Sequence, residues 1–367
     1  MSQQSSVTNP GVTEPNSNGF DTVLFNSLQT AYRSGELSPE RIRLQAEVLP
    51  PSPEQLLNPA QLSQVNQAEY TVLGNQAVAR GEVAAVVLAG GMATRFDFDA
   101  PKGLFPIVGQ VSFLELKVRA LCGQGIAIYL MTSFHTHQAT LDFLEAHDYF
   151  GHREKVFLFQ QFRLPRISPS GEVRSTDTGL DFATCGHGDF VEALRQSGLL
   201  SQFLAQGGRW LLFSNIDNLG ASFDPLLLGA HISSGVDMSI EVAAKVPGDK
   251  GGAPALVDGR LQLVEEFLFP ADFDQDQIQV FNTASYIFTA AALDRDFDLP
   301  WYVVKKQVDS EPVLQFEHLA GDLSRELSEQ VLLVDRAERF LPVKQLEDAP
   351  QAAPLIRRKY AELLGPA

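Results

Sequence analysis

The sequence of 367 residues predicts an α/β protein. Its core is a doubly wound, mainly parallel β-sheet, with a helical N-terminal extension and a small C-terminal segment. Three observations carry that prediction. Between residues 81 and 220, short apolar runs alternate with segments of helical periodicity, the βαβ rhythm of a parallel sheet. The runs are apolar throughout, as strands covered on both faces require. Each run ends in a glycine-rich or polar turn, and ligands bind beyond the carboxyl ends of strands in such sheets.

Residues 1–19 are rich in Ser, Gln, Asn, Thr, Pro and Gly and predict a disordered tail. Residues 20–80 predict a helical extension, including "DTVLFNSLQTAYRSG" and "QLSQVNQAEYTVLGNQAVARG", punctuated by Pro50 and Pro51. In "LSPERIRLQAE", Ser38 reads as an N-cap and Pro39 as the first helical residue. Glu40 puts a negative charge in the first turn, where the helix dipole favours it. Arg41 stands where a capping box wants Glu or Gln.

Residues 81–300 are the predicted α/β domain. "VAAVVLA" (83–89) is a buried strand ending in glycines, "FLELKVRALCGQG" (113–125) a helix, and "IAIYLMTS" (126–133) a second strand. "QATLDFLEAHDYF" is helical, "KVFLFQQ" (155–161) is a third strand, and "DFVEALRQSGLLSQFLAQGG" (189–208) reads as one long helix. "RWLLFSNIDNLG" (209–220) is a strand running into a polar turn. The glycine turn and the "MTSF", "QQFRLPR" and "SNIDN" turns all follow strand ends, so they should share one rim. Residues 240–345 are more β-rich, with a turn at Asp258-Gly259, and residues 301–367 form the C-terminal segment, ending in a short helix. There is no internal repeat.

The net charge of −17 argues against a nucleic-acid or anionic-membrane binder, since phosphate backbones need clustered Lys and Arg. A small anionic ligand needs only a few cations and backbone N–H groups in one cleft. No apolar run approaches the ~18 residues of a membrane span, and the polar N-terminus has no signal-peptide pattern. Two cysteines, Cys122 and Cys185, do not make a disulfide framework, and a reducing cytoplasm is the simpler expectation.

The chemistry concentrates in "VVLAGGMATRFDFDAPKG", residues 86–103. Gly90 and Gly91 let the backbone approach a ligand. Arg95 and Lys102 supply cations of the kind a triphosphate requires. The stretch has neither the Gly-Lys-Ser/Thr of a Walker A loop nor the GxGxxG of a dinucleotide site. On pattern alone it reads equally well as a glycine turn with two solvated cations.

"LAGGMATRF…PKG" resembles the opening motif of the nucleotide-sugar pyrophosphorylases, Leu-x-Gly-Gly-x-Gly-Thr-x-x-Gly followed by Pro-Lys. Within that superfamily the chain resembles the UTP–glucose-1-phosphate uridylyltransferase family. The matching pieces run in order: "LMTSF" (130–134), "FQQFRLPRI" (159–167), "GHGD" (186–189), "SGLL" (197–200), "SNIDNLGA" (214–221), "GG" (251–252), "LVE" (263–265), "FNT" (281–283) and "RFLPVK" (339–344).

The resemblance implies a nucleotide-diphospho-sugar transferase type of fold and a reaction. UTP and a sugar 1-phosphate, glucose 1-phosphate first among them, would give a UDP-sugar and pyrophosphate by in-line attack, with Mg²⁺ as cofactor. Leu88, Ala89, Gly90 and Gly91 would hold the uridine, with Gly186 alongside, and Gln161 would read the uracil edge. Met131 would pack near the base, although plain core packing explains it as well. Arg95 and Lys102 would stabilise the leaving pyrophosphate, and Lys344, completing the site from the C-terminal segment, would reach the phosphates. The Gly-His-Gly-Asp turn would offer N–H groups to an anion, with His187 touching the sugar or ribose. Asn215, Gly252, Glu265 and Asn282 would line the sugar. Asp217 is the metal candidate, because Mg²⁺ takes one or two carboxylates and completes its shell with phosphate and water. Its other reading is a turn residue in "NIDN".

His135 and His137 read as solvated or hydrogen-bonded histidines, Cys185 as a thiol the reaction does not use, and "DFDQDQ" (272–277) as a solvated loop. Three positions depart from the family pattern. Ala93 and Asp97 replace glycines, and Ala284 replaces the last amide of Asn-Thr-Asn. Ala93 fits if its φ is negative, and Asp97 would either repel pyrophosphate or help hold a metal. The loss at Ala284 leaves the sugar open: N-acetylglucosamine or galactose 1-phosphate are alternatives. The three departures are also the support for a non-catalytic UDP-sugar-binding regulator. Only 23 residues follow Lys344. The β-helical C-terminal domain of eukaryotic relatives would not fit there, so oligomerisation through it is not implied. The oligomeric state stays open.

Overall fold

A computed structural model describes residues 19–38, 42–246, 249 and 251–365. The expected tail over residues 1–18 and the positions of Pro39, Glu40 and Arg41 lie outside the described residues. The centre is an eight-stranded sheet: β1 (Leu56–Leu57), β2 (Val83–Leu88), β3 (Ala127–Thr132), β4 (Val156–Gln160), β5 (Trp210–Asn215), β6 (Met238–Ala244), β7 (Val280–Thr289) and β8 (Glu329–Val334). The order across the sheet is β1-β8-β6-β7-β5-β2-β3-β4. Only β7 runs against its neighbours, pairing antiparallel with β5 and β6, while β2, β3, β4 and β5 are parallel. Their carboxyl ends therefore share one rim, as their turns predicted.

Both faces of the sheet are covered, which is why the strands are apolar throughout. Val83, Ala85 and Val87 of β2 pack on one side and Ala84 and Val86 on the other. The first side carries α2 (Gln64–Ala79), α3 (Phe113–Cys122), α4 (His137–Ala146), α7 (Pro225–Ser234) and α8 (Ala349–Lys359). The second carries α5 (Phe190–Gln196) and α6 (Leu199–Ala205). Helix α2 lies against α7 at two glycines. A Cβ at Gly74 would stand 2.1 Å from the Pro225 carbonyl oxygen, and one at Gly229 would stand 1.8 Å from that of Tyr70. The segment read as one helix over 189–208 is two. Gly198, at φ +78°, breaks it, a conformation glycine adopts without steric cost.

The N-terminal extension holds α1 (Thr22–Arg33), capped by the Asp21 carboxylate, and α2, capped by Ser63. It is not helical throughout. Residues 42–47 are irregular. The Leu44 N–H donates to the Leu268 carbonyl at 2.8 Å and Arg43 to that of Phe269 at 2.7 Å. Val48–Leu49 pairs with Leu256 and Val257, and β1 joins the edge of the main sheet. Long-range pairing has overridden local helix propensity. Helix α1 packs Phe25 and Leu28 with Ile167, Leu314 and Phe316 in a satellite cluster.

The β-rich stretch holds a hairpin, Ala253–Val257 with Arg260–Val264. It turns at Asp258 (φ +49°) and Gly259 (φ +79°), the two left-handed residues of a tight hairpin. A second hairpin pairs Tyr302–Val308 with Glu311–Glu317. Helix α8 and a further turn of helix, Ala361–Leu364, follow in the C-terminal segment, where a short helix is expected. Among the described residues no helix is long and apolar enough to cross a membrane.

Candidate functional site

The glycine turn after β2 is pinned to the end of β3. The Ala89 N–H donates to the Met131 carbonyl at 2.8 Å, and the Ser133 hydroxyl donates to the Gly90 carbonyl at 2.8 Å. The Gln161 amide lies over this turn: a Cβ at Gly90 would stand 2.4 Å from its Nε2. Leu88, Ala89, Gly90, Gly91 and Gln161 thus meet on the rim. Met131 is 2% exposed and belongs to the core on the α5 side of the sheet, directly below that turn.

Residues 91–102 fold back on themselves, with the Lys102 N–H donating to the Gly91 carbonyl and the Ala93 N–H to that of Ala100. Ala93 is buried at φ −91°, so its methyl group is unstrained. Asp97 is exposed at φ +51°, the conformation a glycine would favour. Arg95 is exposed on the 94–96 turn. Lys102 reaches the opposite wall, where its Nζ donates to Asp217 Oδ2 at 2.8 Å.

Asp217 follows β5, in a loop stitched to "RFLPVK". The Val343 N–H donates to the Asp217 carbonyl at 3.2 Å. The Asn218 side chain accepts from the Leu341 N–H at 3.0 Å and donates to the Arg339 carbonyl at 3.2 Å. A Cβ at Gly220 would stand 2.4 Å from the Arg339 carbonyl carbon, so only glycine permits this approach. Lys344, exposed, follows Val343 and so starts beside Asp217. Beneath the loop, Arg339 forms a two-pronged buried pair with Glu241 at 2.9 and 2.7 Å. Asn215 ends β5 at the same rim.

The sequence reading missed Lys117. It is fully buried on α3, and its Nζ donates to the Ala221 carbonyl at 2.7 Å and the Ser214 hydroxyl at 3.2 Å. It ties together both ends of the loop that carries Asp217. Burial, with the nearby Arg339 charge, lowers its pKa to about 7. A signal was available: Lys117 interrupts the apolar stripe Leu114, Val118, Leu121 at helical spacing.

The Gly-His-Gly-Asp turn lies against residues 317–320. Gly186 takes φ +84°, and a Cβ there would stand 2.5 Å from the His318 carbonyl oxygen. The His187 Nδ1 accepts from the Ala320 N–H at 3.0 Å, so its proton is on Nε2. Burial lowers the His187 pKa to about 4. It is a neutral donor at ordinary pH. Asp189, buried, accepts from the Phe162 N–H at 2.8 Å and so joins this turn to the one bearing Gln161. Burial raises its carboxyl well above the usual range.

The sugar-side candidates form a second cluster. The Glu265 carboxylate covers Gly252, where a Cβ would stand 3.1 Å away. Burial raises its pKa against a hydrogen bond from the Gly252 backbone. The Asn282 N–H donates to the Gly252 carbonyl at 2.7 Å. The Asn282 side chain is engaged within the chain, accepting from the Ala284 N–H at 2.9 Å and donating to the Tyr286 hydroxyl at 2.8 Å. Ala284 holds φ +55°. Asp322 and Tyr302 complete this cluster, bonded at 3.2 Å. His187 adjoins it through Ala320, two residues before Asp322.

Among the described residues no group of three or more His, Cys, Asp or Glu could hold a metal ion. A lone carboxylate on a rim that also carries a glycine turn and cations has the donor chemistry of a hard cation completed by phosphate oxygens and water. His137 bonds the Thr132 hydroxyl at 2.8 Å. Cys185 is buried, which pushes its thiol well above the ordinary value.

The sequence profile described as UTP–glucose-1-phosphate uridylyltransferase matches residues 23–358. UTP–glucose-1-phosphate uridylyltransferase 2 of Dictyostelium discoideum is 27% identical over 324 residues, covering 82% of this chain and 63% of that protein. The Hordeum vulgare UTP–glucose-1-phosphate uridylyltransferase is 30% identical over 282 residues, covering 71% of this chain and 59% of that protein. The chain thus spans about three-fifths of the length of these relatives. Among solved structures, a UDP-N-acetylglucosamine pyrophosphorylase from Entamoeba histolytica superposes with TM-score 0.75 at 18% identity, covering 87% of this chain and 90% of that one. A UDP-glucose pyrophosphorylase from Leishmania major, in complex with UDP-glucose, superposes with TM-score 0.74 at 24% identity, covering 90% and 74%. The profile match runs through the glycine turn, the Asp217 loop and the segment that closes it, and the chain belongs to the UTP–glucose-1-phosphate uridylyltransferase family.

Proposed function

We propose that this chain is a uridylyltransferase that converts UTP and glucose 1-phosphate to UDP-glucose and pyrophosphate. Family membership supports the reaction class, and the names of the curated relatives support the sugar. The observation that carries the reading is the Lys102–Asp217 pair, 2.8 Å apart on the rim beside the glycine turn, with Lys344 next to it.

In this reading the uridine lies on Leu88–Gly91, with the Gln161 amide offering a donor and an acceptor to the uracil edge. A phosphate oxygen of glucose 1-phosphate attacks the α-phosphorus of UTP. The bond from that phosphorus to the bridging oxygen breaks, and pyrophosphate leaves. The nucleophile is already ionised, so no general base is needed, which agrees with a His187 whose Nδ1 is occupied by a backbone N–H. His187 instead donates from Nε2. Catalysis rests on positioning and charge neutralisation. Lys102 and Lys344, with Arg95 from its exposed turn, meet the charge that develops on pyrophosphate. Asp217 would hold Mg²⁺, which when bound offsets phosphate charge. Lys117 acts through the loop it ties. A cytoplasmic location goes with this reading, supported by Cys122 and Cys185, both free and buried.

The test is pyrophosphate release from UTP and Mg²⁺ with a panel of sugar 1-phosphates. Release with glucose 1-phosphate, lost in Asp217→Ala, is the expected result. Release with no sugar, alongside UDP-glucose binding, would overturn the reading in favour of a UDP-sugar-binding regulator.

A further inference from the structure

The sugar-side cluster has a buried oxygen that the chain does not satisfy. Asp322 is 4% exposed. Its Oδ1 accepts from the Tyr302 hydroxyl at 3.2 Å and lies 4.0 Å from Arg325. Its Oδ2 has no hydrogen-bond partner among the described residues. Buried polar atoms are nearly always paired, and leaving one unmade is costly.

The surroundings of that carboxyl are those of the sugar candidates. Glu265 acts electrostatically on it, and both carboxyls act on Tyr286. Glu265 leans on the residue before it: a Cβ at Gly321 would stand 3.7 Å from Glu265 Oε1. Asn282 reaches the same place through the Tyr286 hydroxyl. Tyr302 holds the Asp322 carboxyl from behind by its first oxygen, which fixes where the second one lies. Two buried carboxyls, a tyrosine hydroxyl and an amide thus gather around Gly252 and Gly321, positions without side chains.

We propose that Asp322 is a sugar-specificity residue, whose Oδ2 accepts a hydroxyl hydrogen from the hexosyl unit. The site then takes an uncharged hexose 1-phosphate and turns away one whose sugar carries a carboxylate. The proposal rests on the uridylyltransferase reading and names the substrate class of that site. A hydroxyl satisfies Oδ2, whereas a sugar carboxylate would add a third acidic group beside Glu265 and Asp322, which already crowd each other. Burial, opposed by Tyr302 and Arg325, raises the Asp322 carboxyl to about 7, and Glu265 adds to the rise. A bound hydroxyl donor relieves that shared strain. Sites built to hydrogen-bond a substrate group discriminate strongly, because the wrong ligand leaves their buried atoms unpaired.

The test uses wild type, Asp322→Asn and Asp322→Ala. Steady-state kinetics with UTP compare glucose 1-phosphate and glucuronic acid 1-phosphate. Calorimetry compares UDP-glucose and UDP-glucuronic acid on the same proteins, without turnover. Wild type is expected to prefer the uncharged sugar by about 100-fold or more. Asp322→Asn keeps an acceptor for Tyr302 and turns the free acceptor into a donor. Both variants are expected to raise KM for glucose 1-phosphate about tenfold, leave KM for UTP within about twofold, and reduce the preference to under about tenfold. A folded Asp322→Asn protein with wild-type preference and wild-type KM for glucose 1-phosphate overturns the role of Asp322 and leaves the uridylyltransferase reading standing. Calorimetric preference that falls in the variants, from a wild type that releases no pyrophosphate, supports Asp322 and overturns only the reaction.

Discussion

The two sides of the rim solve different problems with different materials. On the phosphate side the cations are accessible: Arg95 and Lys344 are exposed, and Lys102 and Asp217 are 17% and 16% exposed and hold each other. On the sugar side the polar groups are withdrawn. Glu265, Asn282, Tyr286, Tyr302 and Asp322 come from distant segments and bond mostly to one another. On the proposed reading a triphosphate brings several charges, which a few accessible cations can meet. A sugar brings only hydroxyls, and telling one sugar from another requires fixed partners in low dielectric. On that reading charge is met by accessible groups, and sugar identity by buried ones.

Five variants can break or sharpen that contrast. The largest effect is expected from Asp217→Ala, which should lower kcat by about 10³-fold while leaving the melting temperature nearly unchanged. A large loss of stability would show that the phosphate side is as structural as the sugar side.

The second effect appears in stability against pH. Asp322 faces Glu265, Tyr286, Tyr302 and Arg325, and its folded pKa is raised from 3.8 to about 7. Between those values the folded protein keeps a proton that the unfolded chain has released. Stability therefore falls as pH rises through that window and levels off above it, by roughly 4 kcal/mol at most. Asp322→Asn removes this slope, so denaturant titrations of the two proteins should diverge from pH 4 to pH 7. Parallel curves would refute a protonated, withdrawn carboxyl there.

Third, Glu241→Gln leaves the Arg339 guanidinium buried without its anion and should cost about 3 kcal/mol in chemical denaturation. A cost near zero would mean that the Asp217 loop does not depend on the pair beneath it. The smallest effects come from two glycines, one on each side. Gly90→Ala pushes against Gln161 and should raise KM for UTP about tenfold, or about 1.4 kcal/mol, without changing KM for the sugar phosphate. Gly252→Ala pushes against Glu265 and should do the reverse. If each variant shifted both constants equally, the two sides would be one pocket.

The phosphate side was legible in the sequence because each part is local. A buried strand ending in Gly90-Gly91 declares itself, and "SNIDNLGA" and "RFLPVK" are contiguous strings whose residues act close to where they are written. The four parallel strands were equally plain, since burial on both faces leaves uninterrupted apolar runs. The sugar side was half legible. Glu265 and Asn282 sit in short motifs, but Asp322 and Tyr302 sit in "HLAGDLSREL" and "LPWYVV", where nothing in spacing distinguishes them. Their meaning comes from a contact between residues 20 apart in the chain and from a neighbour, Glu265, on another hairpin. The N-terminal extension misled for a related reason. Residues 42–49 and β1 answer to partners more than 200 residues away, and no local pattern records such partners. Gly198 could have been read as a break, but a single glycine inside a helical pattern is often tolerated.

The stitch between Asn218 and Leu341 joins positions 123 residues apart. Residue 341 must therefore leave the ribosome before the Asp217 loop has its far wall. The glycine turn and Lys102 exist early in synthesis, but the partner that orders their opposite wall arrives last. Long-range closure of this kind is slow relative to local folding, and domains fold as their chain emerges. On the uridylyltransferase reading, a nascent chain halted before residue 339 would carry the glycine turn and Lys102 yet lack the segment that orders their opposite wall, so the proposed phosphate site would form late in synthesis.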